Sequence, residues 1–335
     1  MSTSPSPRAR PVGVREVATR AGVSRQTVSR VLNDHPEVAE ETRARVLAAM
    51  ADLGYRVNYA ARALGTRRSR TLGVLASNAE QQGPARSIAA IESSARAAGY
   101  WVIAAFSDAG DAASVRAGID HLLAQNVEGI VALAPHARTL TTLGDVTVTV
   151  PVVTLHSSRQ GAPGLSVDQV AGARLAVAAL AEVGHTRIAH LAGPADWLEA
   201  ESRAEGFAAE LAARGLTPGP TVPGDWSAAS GHAAAAGIAD AGVTAVFAAN
   251  DQMALGLIGG LRELGVAVPE DISIVGFDDI PDAAYYWPPL TTVRQDFDEL
   301  AERAVRALVG EPGVPVMDEP VVPTLVERRS VARPR

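Results

Sequence analysis

Residues 14–31 read VREVATRAGVSRQTVSRV. The apolar positions Val14, Val17 and Ala18, then Val23, Val28 and Val31, fit two short amphipathic helices interrupted at Gly22, a helix-turn-helix pattern. Ser24 is placed to cap the second helix by accepting the backbone N–H of Thr27 or Gln26, and Val28 and Val31 share its buried side. Arg25, Gln26, Thr27, Ser29 and Arg30 are left facing outward. Guanidinium and carboxamide groups make paired bonds to base edges in a major groove, and hydroxyls anchor to backbone oxygens. The same pattern also describes an ordinary helical hairpin with a solvated polar face, and these residues alone leave both readings open.

The charge around this stretch is lopsided. Residues 1–70 carry 13 arginines against 6 acidic residues, whereas residues 71–335 carry 17 arginines against 31, within a net charge of -7. A polyanion is drawn to the first part and repelled by the second. Every basic residue is arginine, which reflects base composition of the gene as much as function. With no cysteine, thiol chemistry and thiolate metal sites are excluded. Residues 1–11, rich in Ser, Pro and Arg, lack an apolar signal core and read as a disordered arm. No apolar run is long enough to span a membrane, so a cytoplasmic protein is expected, with no membrane partner.

Residues 40–53 predict a third helix, with acids in its first turn, Gly54 as its stop, and Val46, Leu47, Met50 and Leu53 closing a three-helix core. Asn58 can cap a short helix ending near Leu64, too short to stand alone. From residue 71 the texture changes to alternating strand and helix. Buried parallel strands are expected at 72–76, 102–106, 130–134, 152–155, 188–192, 245–249 and 272–277, with a final strand at 323–326. Helices fit at 84–98, 115–125, 169–182, 201–214 and 251–264. This is a doubly wound α/β core with strands enough for two sheets, in which ligands sit beyond the carboxyl ends of strands.

Six segments then agree in order with one family: 22–33 (GVSRQTVSRVLN), 192–194 (AGP), 224–231 (GDWSAASG), 249–256 (ANDQMALG), 269–279 (PEDISIVGFDD) and 288–297 (PPLTTVRQDF). The chain resembles the LacI/GalR family of bacterial transcriptional regulators over nearly its whole length. The resemblance implies an all-α helix-turn-helix headpiece at 12–57, a hinge helix and linker at 58–70, and a periplasmic-binding-protein-like α/β core at 71–335. That core would hold two doubly wound parallel-sheet subdomains, about 71–167 with 294–320 and 168–293 with 321–331. Their crossovers would lie near Val167, Thr292 and Pro320.

Carried over residue by residue, the resemblance assigns DNA contacts to Val14, Arg15, Ser24, Arg25, Gln26, Thr27, Ser29, Arg30, Asn33, Asn58, Ala61 and Leu64. Leu64 matches a leucine that wedges between base steps from the minor groove, a step that requires two paired hinge helices and hence a dimer. Two positions depart from the family: Val57 replaces a proline before the hinge, and Ala39 replaces the hydroxyl cap of the third helix, whose loss costs about 1 kcal/mol.

For the effector, the resemblance assigns Ser77, Pro84, Ser87, His156, Arg203, Trp226, Asn250, Asp278, Gln295 and Phe297. Asp278 and Asn250 follow strands and suit sugar hydroxyls. Arg203 opens a helix, and Trp226 offers an apolar face to a pyranose or equally to core packing. Asp278 also reads as a turn residue, and Gln295 as a holder of the crossover. His156 stands where the lactose-responsive type carries an acid, and Gln81 where it carries an apolar residue; a neutral imidazole keeps a single acceptor, so a sugar other than a simple β-galactoside is expected. The alternative for His156 is a surface loop.

The function implied is a homodimeric repressor of carbohydrate-utilisation genes that binds a pseudo-palindromic operator in double-stranded DNA. It would be released by a sugar effector, a galactoside or other oligosaccharide. A corepressor such as a purine, or an activator role, is the alternative within the same fold. No cofactor or metal is expected. An enzyme is opposed by the absence of a GxSxG elbow, a Walker loop, a GxGxxG after a strand and an HExxH helix. A secreted binding protein is opposed by the missing signal peptide, and a tetramer by the lack of a leucine heptad after residue 326.

Overall fold

The computed structural model describes residues 12–32, 35–55, 68–157, 165–310 and 319–335. Two compact units divide the chain at residues 1–69 and 70–335.

Among the described residues the first unit holds three helices, α1 (Val14–Ala21), α2 (Arg25–Leu32) and α3 (Glu40–Asp52). Gly22 ends α1 with φ 66°, a left-handed cap that suits glycine. Ser24 Oγ accepts the Thr27 N–H at 3.0 Å and opens α2. Val17, Ala18, Ala21, Val28, Val31, Val46 and Ala49 form the core. One expected core residue lies elsewhere: Leu47 is 51% exposed, because Val46 and Ala49 already fill the narrow seam α3 presents to two short helices. Ala39 gives α3 no side-chain cap. The hinge helix expected between Asn58 and Leu64 lies outside the described residues.

The second unit carries two sheets. In the first, β1 (Thr71–Ala76), β2 (Trp101–Phe106), β3 (Gly129–Leu133) and β4 (Val152–Leu155) run in the order β2-β1-β3-β4, all parallel, with Val74 opposite both Ala104 and Val131. Helices α4 (Gln82–Ala97), α5 (Ala112–Ala124) and α6 (Ala137–Asp145) connect them. In the second sheet β5 (Arg187–Ala192), β6 (Thr217–Pro223), β7 (Ala245–Ala248), β8 (Ser273–Asp278), β9 (Thr291–Arg294) and β10 (Thr324–Val326) take the order β10-β9-β8-β7-β5-β6; only β10 is antiparallel to its neighbour. Its helices are α7 (Gln169–Glu182), α8 (Leu198–Ala213), α9 (Ala228–Asp240) and α10 (Asp251–Glu263), while α11 (Phe297–Val309) returns to pack on the first sheet. Each sheet is covered on both faces by apolar clusters, as parallel sheets require.

The chain passes between the sheets in three places. After β4, Leu165 bridges Leu155 and Val167 bridges Val321; β9 gives way to α11 across residues 295–296; and residues 319–323 lead into β10. The strand β6, TPGPTVP, has no counterpart in the expected list. It sits at a sheet edge, where one side of the strand has no ladder to donate to and proline is tolerated. In both sheets the strand order reverses beside the first strand, between β1 and β3 and between β5 and β7, so each has a crevice at its carboxyl edge.

Candidate effector cleft and nucleic-acid interface

The carboxyl ends of both sheets border one cavity, with about 740 Å3 of space between atoms when its open mouth is included. From the first sheet's side come Gln81, Pro84, Ser87, His156, Ser157, Phe297 and Leu300, and from the second Gln169, Trp197, Glu199, Arg203, Trp226, Asn250 and Asp278.

Its polar floor is a closed circuit of four side chains. Arg203 Nε donates to Gln169 Oε1 at 2.8 Å, Gln169 Nε2 donates to Gln295 Oε1 at 2.7 Å, and Gln295 Nε2 donates to Asp278 Oδ1 at 2.7 Å. Arg203 Nη2 closes the ring at 3.5 Å from the same oxygen. Arg203 Nη1 also donates to the Ala249 carbonyl, and the guanidinium lies 3.8 Å from the Phe277 ring centroid and 5.5 Å from that of Trp226. Burial pushes the Asp278 carboxyl above its ordinary value, and Arg203 and the Gln295 amide oppose that rise. Burial likewise pulls the Arg203 guanidinium down, with Asp278 the chief opposing charge. Asp278 has φ 105° and Trp226 φ 71°, conformations L-residues rarely adopt and a mark of backbone held for a purpose.

The expected effector residues fall into distinct positions. Pro84, Ser87, His156, Arg203, Trp226, Asn250, Asp278, Gln295 and Phe297 line the cavity; Ser77 does not, although it directly follows β1, is buried, and leaves its Oγ without a partner. His156 is 3% exposed, so the surface-loop alternative falls. Arg203 lies in the second turn of α8, because that helix begins at Leu198, earlier than its sequence pattern marks. Asn250 is spent on structure: Oδ1 caps α10 by accepting the Met253 N–H at 2.8 Å, and Nδ2 donates to the Trp226 carbonyl at 3.0 Å and to Gln252 Oε1 at 3.0 Å.

Sequence reasoning missed Gln169, Trp197 and Glu199. Gln169 follows the Asp168 cap of α7, and the other two follow β5, where the rule that sites lie beyond strand ends points to them. Trp197 meets Trp226 edge to face at 5.6 Å. The same segment ties one rim of the cavity shut: Leu198 N donates to the Pro135 carbonyl at 2.9 Å, Arg138 Nη2 pairs with Asp196 Oδ2 at 2.9 Å, and Ser157 N donates to Glu199 Oε1 at 3.2 Å.

In the first unit, Arg15, Arg25, Gln26, Ser29 and Arg30 are exposed at the surface of α1 and α2. Val14 is half-buried against the three-helix core. Ser24 and Thr27 share a 2.9 Å bond between hydroxyls, so the cap also orients Thr27. Asn33, Asn58, Ala61 and Leu64 lie outside the described residues.

Residues 14–58 match the family model for bacterial regulatory proteins of the lacI family, and residues 177–331 that of the periplasmic binding protein-like domain. The lactose operon repressor of Escherichia coli (strain K12) is 37% identical over 332 residues, covering 97% of this chain and 92% of the relative. The regulator CelR of Thermobifida fusca is 35% identical over 323 residues, 90% of this chain and 93% of its own. Among solved structures, the lac repressor dimer bound to operator and the anti-inducer ONPF superposes with a TM-score of 0.83 at 34% identity, covering 96% of this chain and all of that one. A CelR–cellobiose complex gives 0.67 at 31% identity over the same shares. With a headpiece and a two-sheet core in this order and relatives matched along almost their full length, the chain belongs to the LacI family of bacterial regulatory proteins.

Proposed function

We infer that this protein is a transcriptional repressor, and not an enzyme, that binds a pseudo-palindromic operator as a homodimer in the cytoplasm and releases it when a sugar occupies the cavity between its sheets. The single observation that supports this most is the closed circuit of Arg203, Gln169, Gln295 and Asp278, which places alternating donors and acceptors beside two tryptophans in a cavity bordered by both sheets. Such a floor suits adjacent hydroxyls of a pyranose, with the indoles as its apolar wall. A ligand touching both sheets stabilises one relative arrangement of them, and only differential affinity for that arrangement can shift operator binding.

On the headpiece, Arg25, Gln26 and Arg30 are the proposed readers of base edges, with Thr27 and Ser29 on phosphates. Asn33, Asn58, Ala61 and Leu64 are proposed DNA contacts on the strength of the family pattern. A dimer needs covered apolar surface, and Tyr285, Trp287 and Leu255 are 88%, 83% and 42% exposed in the single chain.

Thermal-shift screening of the full-length protein against mono- and disaccharides and purines tests the reading, since a ligand that binds the native state raises the melting temperature by mass action. The expected result is a rise with a sugar that also releases operator DNA in a gel shift. A rise with a purine that tightens operator binding would replace induction with corepression.

A further inference from the structure

Four polar atoms of the cavity lining are enclosed yet unpartnered: His156 Nε2, Ser157 Oγ, Glu199 Oε2 and Trp226 Nε1. Buried polar groups are otherwise almost always satisfied, so such a cluster calls for a ligand. Their chemistry is one-sided. His156 Nδ1 faces the Ser157 carbonyl at 2.8 Å and must be the donor there, which leaves Nε2 of a neutral imidazole as an acceptor. Glu199 Oε1 takes the Ser157 N–H, and Oε2 is a second acceptor in the ionised carboxylate, the form a cationic ligand would favour. Ser157 Oγ can accept as well. Three atoms able to accept therefore gather where β4 ends and α8 begins; Trp226 Nε1 can only donate, and Ser157 Oγ can do either.

Charge points the same way. Among the described residues, the cavity is lined by one permanent cation, Arg203, and two carboxylates, Asp278 and Glu199. Arg203 is committed to Asp278, Gln169 and the Ala249 carbonyl, so Glu199 has no side-chain cation bonded to it. Burial pushes its carboxyl above the ordinary value, opposed by its own N–H, Arg203 and the Ser157 N–H, and a cationic ligand would relieve that cost.

We propose that the effector of this protein is an amino sugar whose ammonium sits against Glu199, His156 and Ser157. An ammonium has three donors and no acceptor, matching the three open acceptors, whereas a hydroxyl supplies one donor. Trp197 and Trp226 give the cation and the pyranose ring aromatic surface, and the free indole N–H meets a ring hydroxyl. The proposal rests on the cavity being the effector site.

The test is isothermal titration calorimetry of the full-length protein with glucosamine, galactosamine and the β-1,4-linked glucosamine dimer, each beside its hydroxyl counterpart. The expected result is at least tenfold tighter binding of an amino sugar than of its counterpart, a preference kept by Glu199→Asp and reduced to within about twofold by Glu199→Gln. Equal binding of both forms, or a preference that survives Glu199→Gln, overturns the proposal. A neutral sugar that binds better and releases operator DNA overturns it while leaving the sugar-effector reading in place. Binding by none of these sugars overturns it and counts against that reading as well.

Discussion

Asp278 is a carboxylate that a buried site would prefer neutral, yet Arg203 and Gln295 converge on one of its oxygens and favour its charge. Replacing it by Asn keeps the shape and removes the charge that Arg203 answers. Hydrogen bonds to charged groups contribute about 1.5–3 kcal/mol, so Asp278→Asn should weaken effector binding roughly 10- to 100-fold while operator binding persists. Gel-shift titration with and without effector checks this; wild-type release would contradict it. His190 is a different kind of buried group, stacked between Phe207 and Phe247 at 4.9 Å from each and held neutral, with burial lowering its pKa to about 4. Between pH 6.5 and 4 the unfolded chain binds the proton that the folded one refuses, so this residue's contribution to stability is present above pH 6.5 and lost as pH falls toward 4. His190→Asn should flatten the dependence of unfolding free energy on pH in that window by up to about 1.4 kcal/mol per pH unit, measured as the difference between variant and wild type in urea titrations.

At the scale of elements, α9 and α10 approach each other backbone to backbone. A Cβ on Gly256 would fall within the Ala228 carbonyl, and one on Gly231 within that of Met253. Overpacking a tight seam costs about 1–3 kcal/mol, so Gly256→Ala should lower the melting temperature of the core, whereas Gly259→Ala, with only His232 Cδ2 at 3.9 Å, should raise it slightly, because alanine is favoured over glycine inside a helix. Differential scanning calorimetry separates the two. Of the three glycines Gly256, Gly259 and Gly260 in α10, only Gly256 and Gly260 lie hard against α9. Strands with uninterrupted apolar runs, such as β3 and β7, were legible because both sheet faces are covered. The edge strand β6 was hidden by its prolines, and α9 by an alanine-rich composition with little amphipathic contrast. In the site, Asp278 was legible from a family motif and Arg203 from the resemblance as a whole, while Gln169 and Glu199 were not, because neither lies in a segment that carries the resemblance.

For the whole molecule, the charge division between residues 1–70 and 71–335 sets how it meets DNA: the basic part is attracted and the acidic part repelled. Operator affinity should therefore fall steeply with salt through counterion release. Repression and release require thermodynamic coupling between the cavity and the headpiece. If effector lowers operator affinity by some factor, operator must lower effector affinity by the same factor. Calorimetric titration of the effector into full-length protein, free and saturated with operator DNA, measures this directly. Effector binding should be weaker in the DNA complex, by the ratio found in operator-release titrations; equal affinity in both states would show that the cavity and the headpiece are not coupled.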